Sequence, residues 1–171
     1  MQETVQGYKK RILGYVAGQK PLKVQAETPK KLERLLKGVP RGRLVRRPEP
    51  SKWCVAEIVA HLAETELVGG YRVRTILGAP GTPIQAFDQD KWAEAGKYSK
   101  RNPKDSLALF RALREANLAL LKSLSPEQWK HSGFHAERGE ESVENIVEMF
   151  AGHDINHLSQ IEKIVGKSTR R

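Results

Sequence analysis

The chain has a single cysteine, Cys54. That excludes an internal disulfide framework and any CxxC zinc or redox pair. No apolar run approaches the ~18 residues that a membrane span requires. Aromatic residues are sparse, and the basic residues lack aromatic interleaving and any RNP, helix-turn-helix or zinc-finger pattern. The opening stretch, MQETVQGYKKRILGYVAGQK, carries charges inside its apolar positions and lacks a small-residue cleavage site. It does not read as a signal peptide. The expectation is a protein of the reducing cytoplasm with no membrane association.

What is present is enough chain for one domain of 171 residues, with 39% hydrophobic residues to build a core. The net charge of +10 is carried entirely by residues 1–52, which hold 14 Lys/Arg against 4 Asp/Glu. Residues 53–171 hold 16 of each. A basic face of this kind suits nucleic acid or another polyanion, and equally a solvated helix and loop that keep the protein in solution.

The punctuation predicts an all-α fold, a four-helix bundle with a long crossover between helices two and three. Val5, Tyr8, Ile12 and Tyr15 mark an N-terminal helix within a basic segment, 1–27. Thr28-Pro29 reads as an N-cap followed by proline at the first helical position, with Leu32, Leu35, Leu36 and Val39 behind it. A second long helix is expected from Val55 to Leu77. Its start, Cys54 to Glu57, has capping-box spacing, with Ser51 as a competing cap. About two dozen residues without clear periodicity lead to Arg101, long enough to make helices two and three parallel. Asn102-Pro103 opens the third helix, with Leu107, Phe110, Leu113, Asn117, Leu120 and Leu124 facing inward. Ser125 to Trp129 is a short turn, Lys130 to Gly139 a polar loop, and the last helix runs from its cap Ser142 to Gly166. No strand alternation persists long enough for a sheet.

The last helix carries the chemistry. Its inner stripe reads Val143, Ile146, Phe150, His153, His157, Ile161 and Ile164, so two histidines one turn apart face the core. Cβ atoms at this spacing lie about 5–6 Å apart, which suits two ligands on one ion. His61, on the second helix, shares a mixed face with Ile58, Glu64, Val68, Tyr71 and Thr75. Three neutral imidazoles would leave a divalent ion an open position for water or substrate. Three separately hydrogen-bonded core histidines would give the same pattern.

Two segments carry a family resemblance. Trp53-Cys54-Val55-Ala56-Glu57-Ile58-Val59-Ala60-His61-Leu62 resembles the start of helix two in the DinB/YfiT-like superfamily, with cysteine where that family usually has serine. His153-Asp154-Ile155-Asn156-His157-Leu158-Ser159-Gln160-Ile161 resembles its helix-four motif. Asp88-Gln89-Asp90-Lys91-Trp92 and Leu124-Ser125-Pro126-Glu127-Gln128-Trp129 are similar to it as well, so the resemblance spans about 28–165. It implies a four-helix bundle with a divalent metal (Zn, Ni, Mn or Fe) on His61, His153 and His157. Members are described as metal-dependent hydrolases, and related branches transfer low-molecular-weight thiols such as bacillithiol or mycothiol.

Glu64, Tyr71, Asn117 and His135 are the candidates for acid–base or orienting roles around such a centre. Glu64 and Tyr71 share His61's face, and Asn117 interrupts an apolar stripe; His135 lies in a loop that could approach the bundle end as a fourth ligand or substrate contact, but is expected to be a surface loop histidine. His131 and His135 share an i, i+4 spacing, but Ser132-Gly133 between them argues against a helix, and Gln160 is expected as a hydrogen-bonder one turn beyond His157. Asp88 and Asp90, two carboxylates two residues apart in a loop, could touch a cationic substrate but are expected in a solvated, capping role, while Trp53 and Trp129 read as core. Cys54 has no adjacent histidine to activate it. Asp154 and Asn156 are expected on exposed faces. The favoured function is an enzyme acting on a small-molecule substrate, by hydrolysis or thiol transfer. The alternative is a non-catalytic bundle, as a monomer or a homodimer, that binds nucleic acid or another polyanion or regulates a partner.

Overall fold

Capping chemistry sets the helix starts. The computed structural model describes residues 3–167. It shows helices α1 (Val5–Val16), α2 (Pro21–Leu36), α3 (Arg41–Leu44), α4 (Val55–Gly78), α5 (Gln89–Ala95), α6 (Pro103–Lys122), α7 (Pro126–Lys130) and α8 (Val143–Val165). Thr4 accepts the Gly7 N–H at 3.1 Å to open α1, and Ser142 accepts that of Asn145 at 3.1 Å to open α8. At α4 the Glu57 carboxylate reaches back to the Cys54 N–H at 2.8 Å, so Cys54, not Ser51, is the cap. Gly166, at φ 65°, closes α8 in the left-handed conformation.

The expected start at Thr28-Pro29 is overturned: α2 begins at Pro21 and continues through Pro29. A proline inside a helix removes the N–H that would bond the carbonyl four residues back, a cost of about 3 kcal/mol. Here that carbonyl belongs to Gln25, and the Arg114 guanidinium fills the vacancy at 2.8 Å. The Thr28 hydroxyl donates to the Val24 carbonyl at 2.9 Å instead of capping.

Helices α2, α4, α6 and α8 form the bundle, and α1 lies along α8. Ile58 near the start of α4 packs with Leu107 and Phe110 near the start of α6, while Ile76 packs with Leu121 near their ends. The two helices are therefore parallel, as the long connection requires. By the same reading α8 runs antiparallel to α4, its Ile161 beside Ile58 and its Ile146 beside Ile76.

Two apolar clusters result. One holds Leu32, Leu35, Ile58, Leu62, Phe110 and Ile161, the other Val73, Ile76, Leu121, Val143 and Ile146. Each fully buried side chain of this size contributes about 1.5–3 kcal/mol. Between the clusters lies a polar layer that includes Gln25, His61, Glu66, Arg114, Asp154 and His157.

The inner face of α6 differs from expectation. Leu107, Phe110, Arg114, Leu118 and Leu121 are buried, while Leu113 and Leu120 are only partly so. The polar loop from Lys130 to Gly139 is also corrected. It contains a hairpin of β2 (Ser132–His135) and β3 (Gly139–Ser142), with the two-residue β1 (Pro83–Ile84) added parallel to β2. Strands of four residues, SGFH and GEES, are too short and too polar to show alternation. Gly133 is required where β2 meets the connection, because a Cβ there would lie 2.7 Å from the Thr82 carbonyl oxygen.

Candidate metal centre

His61 lies about two turns into α4, and His153 and His157 project from α8 toward it. The His153 Nε2 atom sits 3.0 Å from His61 Nε2 and 3.0 Å from His157 Nε2. One nitrogen from each ring falls within 4.8 Å of the others. Metal–nitrogen bonds of about 2.0–2.1 Å place two imidazole nitrogens roughly 3–3.4 Å apart, so the spacing fits one small divalent cation.

The proton inventory points the same way. His157 Nδ1 donates to the Gln160 amide oxygen at 2.9 Å, which leaves Nε2 with a lone pair. A neutral imidazole nitrogen is a donor or an acceptor, never both. His153 Nε2 therefore cannot satisfy both of its close neighbours with a proton, whereas a cation accepting all three lone pairs can. Burial holds His61 and His153 far below the ordinary imidazole pKa. Burial also pulls His157 down to about 4, with the Gln160 contact opposing. All three rings are neutral at physiological pH, the state in which they ligate metals. Thr65 Oγ1 lies 3.4 Å from His61 Nδ1, and the Trp53 ring packs on His61 at 4.9 Å between centroids.

Behind the rings lies an ion network that the sequence did not reveal. Arg114, 1% exposed, binds Asp154 through two nitrogens at 2.6 and 3.1 Å and Glu66 at 2.8 Å. The charges of Asp154 and Glu66 outweigh the cost of burial and keep the guanidinium pKa above its usual value. Asp154, expected to be exposed, is 1% exposed and anchors the helix that presents His153. Asn156 is half-buried and accepts from Arg11 at 3.1 Å.

Two cavities flank the three rings. One, of about 330 Å³, is lined by His61, Thr65, His153, Phe150, Arg72 and Arg138, among others. The other, of about 480 Å³, is lined by His157, Gln160, Trp53, Lys52 and Lys163, among others. Gln89, at the start of α5, borders both.

The remaining candidates are placed as follows. Glu64 turns aside to Arg101 at 2.6 Å. Tyr71 is 66% exposed. Asn117 bonds Glu66 and Arg74 and lines a separate small cavity with Gly70. His135, expected in a surface loop, is instead buried in β2 beside the charges of Arg138 and Glu141, because the hairpin folds it inward, and burial lowers its pKa. None of these four borders either of the two cavities beside the rings.

His131 is half-buried at the foot of the hairpin, its Nδ1 without a hydrogen-bond partner among the described residues. Asp88 caps α5 by accepting from Asp90 and Lys91, Trp92 packs on Phe87, and Trp129 is partly buried against the second apolar cluster. Asp90 borders the larger cavity. Cys54 is fully buried, which pushes its thiol pKa up and away from nucleophile chemistry. Sequence reasoning missed Thr65, Arg72 and Arg138. Arg72 stands eleven residues beyond His61, almost an integral number of turns, and that spacing was the available signal.

Comparison with known proteins gives a consistent picture. Residues 26–161 match the DinB superfamily. A Bacillus subtilis protein named "Putative metal-dependent hydrolase YfiT" is 26% identical over 84% of this chain and 81% of its own length. OB0782 of Oceanobacillus iheyensis, a protein named in the same way, is 28% identical over 66% of this chain and 64% of its own length. The solved structure of the B. subtilis protein superposes with a TM-score of 0.77 over 98% of this chain and 92% of that one, at 24% identity. A mycothiol-dependent maleylpyruvate isomerase superposes with a TM-score of 0.64 over 82% of this chain and 59% of that one, at 14% identity. These two structures share the fold.

Proposed function

Because the chain belongs to the DinB superfamily, we propose that it is a metal-dependent enzyme in which His61, His153 and His157 hold one divalent cation beside a substrate cavity. The convergence of three neutral ring nitrogens within 4.8 Å, one of them oriented by Gln160, carries this reading. When bound, the cation supplies Lewis acidity, lowering the pKa of a water or thiol that enters the site. The protein's own groups do the rest. Gln160 fixes the His157 tautomer, Trp53 and Phe150 shield the rings from bulk water, and the flanking cavities admit reactants. Hydrolysis is the first reading, in keeping with the names of the relatives.

Thiol transfer is the second, and one observation favours it. One cavity is lined by His61 and His153 and a second by His157, so reactants can approach the centre from two sides. The test begins with chelator-dialysed protein reloaded with Zn, Ni, Mn or Fe. About one ion per chain is expected in the wild type, and a loss of that ion in His157→Ala. Failure of the wild type to take up metal overturns the proposal. A panel of esters, amides and thiol conjugates then separates the two activities.

A further inference from the structure

Arg72 is a buried cation whose placement the fold does not explain. It is 6% exposed, yet its Nε has no hydrogen-bond partner among the described residues. One contact is made by Nη2, to the Gln85 carbonyl at 2.6 Å, and the guanidinium lies 5.8 Å from the Phe87 ring centroid. Arg11, Arg47, Arg101, Arg114 and Arg138 each reach a carboxylate; among the described residues Arg72 reaches none. A buried guanidinium with an unpartnered Nε and a single protein hydrogen bond is costly unless something else accepts from it.

Its position says where that acceptor would come from. Arg72 lines the 330 Å³ cavity together with His61 and His153. Eleven residues of α4 separate it from His61, about 16 Å of rise on nearly the same face. A long helical side chain leans back toward the helix N-terminus, which brings the guanidinium closer to the rings than its Cα.

The neighbouring charges do not neutralise it. Glu141 is held at both oxygens by Arg138, at 2.6 and 2.8 Å. Glu3 is bound by Arg11, and Glu137 is exposed at the rim. Burial, with the like charge of Arg138, draws the Arg72 pKa down to about 10, so it remains a cation at neutral pH.

We propose that Arg72 is the specificity-determining residue of this cavity and binds an anionic group, a carboxylate, at the end of the substrate remote from the reacting atom. The proposal rests on the metal-centre reading above and adds the substrate class. It makes the substrate a molecule with two handles, a group that reacts beside the three histidines and an anion held by the Arg72 guanidinium near Phe87.

The test uses probes with both handles: ω-mercaptoalkanoates of roughly three to seven carbons, and the matching ω-mercaptocarboxamides, titrated calorimetrically into the zinc-loaded protein. At the best chain length the acid is expected to bind at least about tenfold tighter than the amide. In Arg72→Met that ratio is expected to fall below about twofold while the amide's affinity is kept. Arg72→Lys is expected to retain an intermediate ratio. The proposal is overturned if no chain length gives the wild type a preference for the acid, or if Arg72→Met retains it. Should Arg72→Met not fold, Arg72→Lys and Arg72→Gln take its place, and the wild-type comparison still decides. Zinc content measured on the same samples isolates the metal reading. If no zinc is held, hexanoate against hexanamide on the metal-free protein reads Arg72 alone.

Discussion

The hydrogen bond between His157 Nδ1 and Gln160 makes a quantitative prediction about metal-linked stability. A cation that binds the folded chain alone stabilises it by about 2.7 kcal/mol when free metal is a hundredfold above Kd. For a chain of this size 1 kcal/mol moves Tm by about 2–4 °C, so the expected shift is roughly 5–11 °C. Gln160→Ala removes the partner that orients His157, a change that costs about 10–100-fold in affinity. The side chain of Gln160 is exposed, so water can take its place on Nδ1. The lower figure, about tenfold or 1.4 kcal/mol, therefore applies.

Scanning calorimetry in a zinc buffer fixed at a hundredfold the wild-type Kd should show the Gln160→Ala shift reduced by roughly half. In chelator the two proteins should melt within a degree or two of each other, because an exposed hydrogen bond contributes little on its own. His157→Ala should lose nearly the whole metal-dependent shift. A wild-type Tm indifferent to zinc, or a Gln160→Ala shift equal to the wild type's, would refute the argument that this contact orients a metal ligand.

Other consequences follow from the packing and the charges. Arg114→Met leaves Asp154 and Glu66 buried without their cation, and urea denaturation should show a loss of about 3–5 kcal/mol. Adding Asp154→Asn and Glu66→Gln to that variant should restore part of it. Gly152→Ala would place a Cβ 2.1 Å from the Ile12 carbonyl oxygen. The overpacking cost of about 1–3 kcal/mol should exceed the helix-propensity gain of about 1 kcal/mol, and the loss should appear as loosening of α1 in hydrogen exchange.

Glu57 is buried, but bonds from Arg47 and the Cys54 N–H hold its pKa below the ordinary carboxylate value. Its contribution is thus complete above the unfolded value of about 4.3 and disappears as pH falls through the lower folded value. Glu57→Gln should flatten the acid limb of the stability–pH curve in that window.

The bundle and the three histidines were legible in the sequence for a simple reason. The last helix has a regular 3–4 spacing, and both histidines fall on its apolar stripe. The second long helix was harder to orient. Residues 55–63 of α4 are buried on every side, so their pattern carries no direction. Farther along, the inner face is set by Gly69, against Phe150, and Gly70, against Asn117. Glycines that mark close approach carry no hydrophobic signal, so the apolar pattern drifted around the helix and took Tyr71 with it. Arg114 disguised the face of α6 in the same way. A charged residue at the centre of an apolar stripe reads as an exposed position until its partners, Asp154 and Glu66, arrive from two other helices.

That concealed layer also explains how the site keeps its geometry. Two apolar clusters stacked along a bundle would tolerate sliding of one helix against another, because leucine and isoleucine are interchangeable partners at similar depth. The layer between them tolerates no such slip. Moving α8 one turn along α4 displaces His153 and His157 from His61 by about 5.4 Å. The same motion pulls Asp154 away from a guanidinium that is also committed to Glu66 on α4 and to the Gln25 carbonyl on α2. Proline at position 29 tightens the constraint, since it opens the Gln25 carbonyl to Arg114 and so ties α2 into the same register. The cost of burying these ions is the counterpart of holding three ring nitrogens within 4.8 Å on helices that share no local sequence.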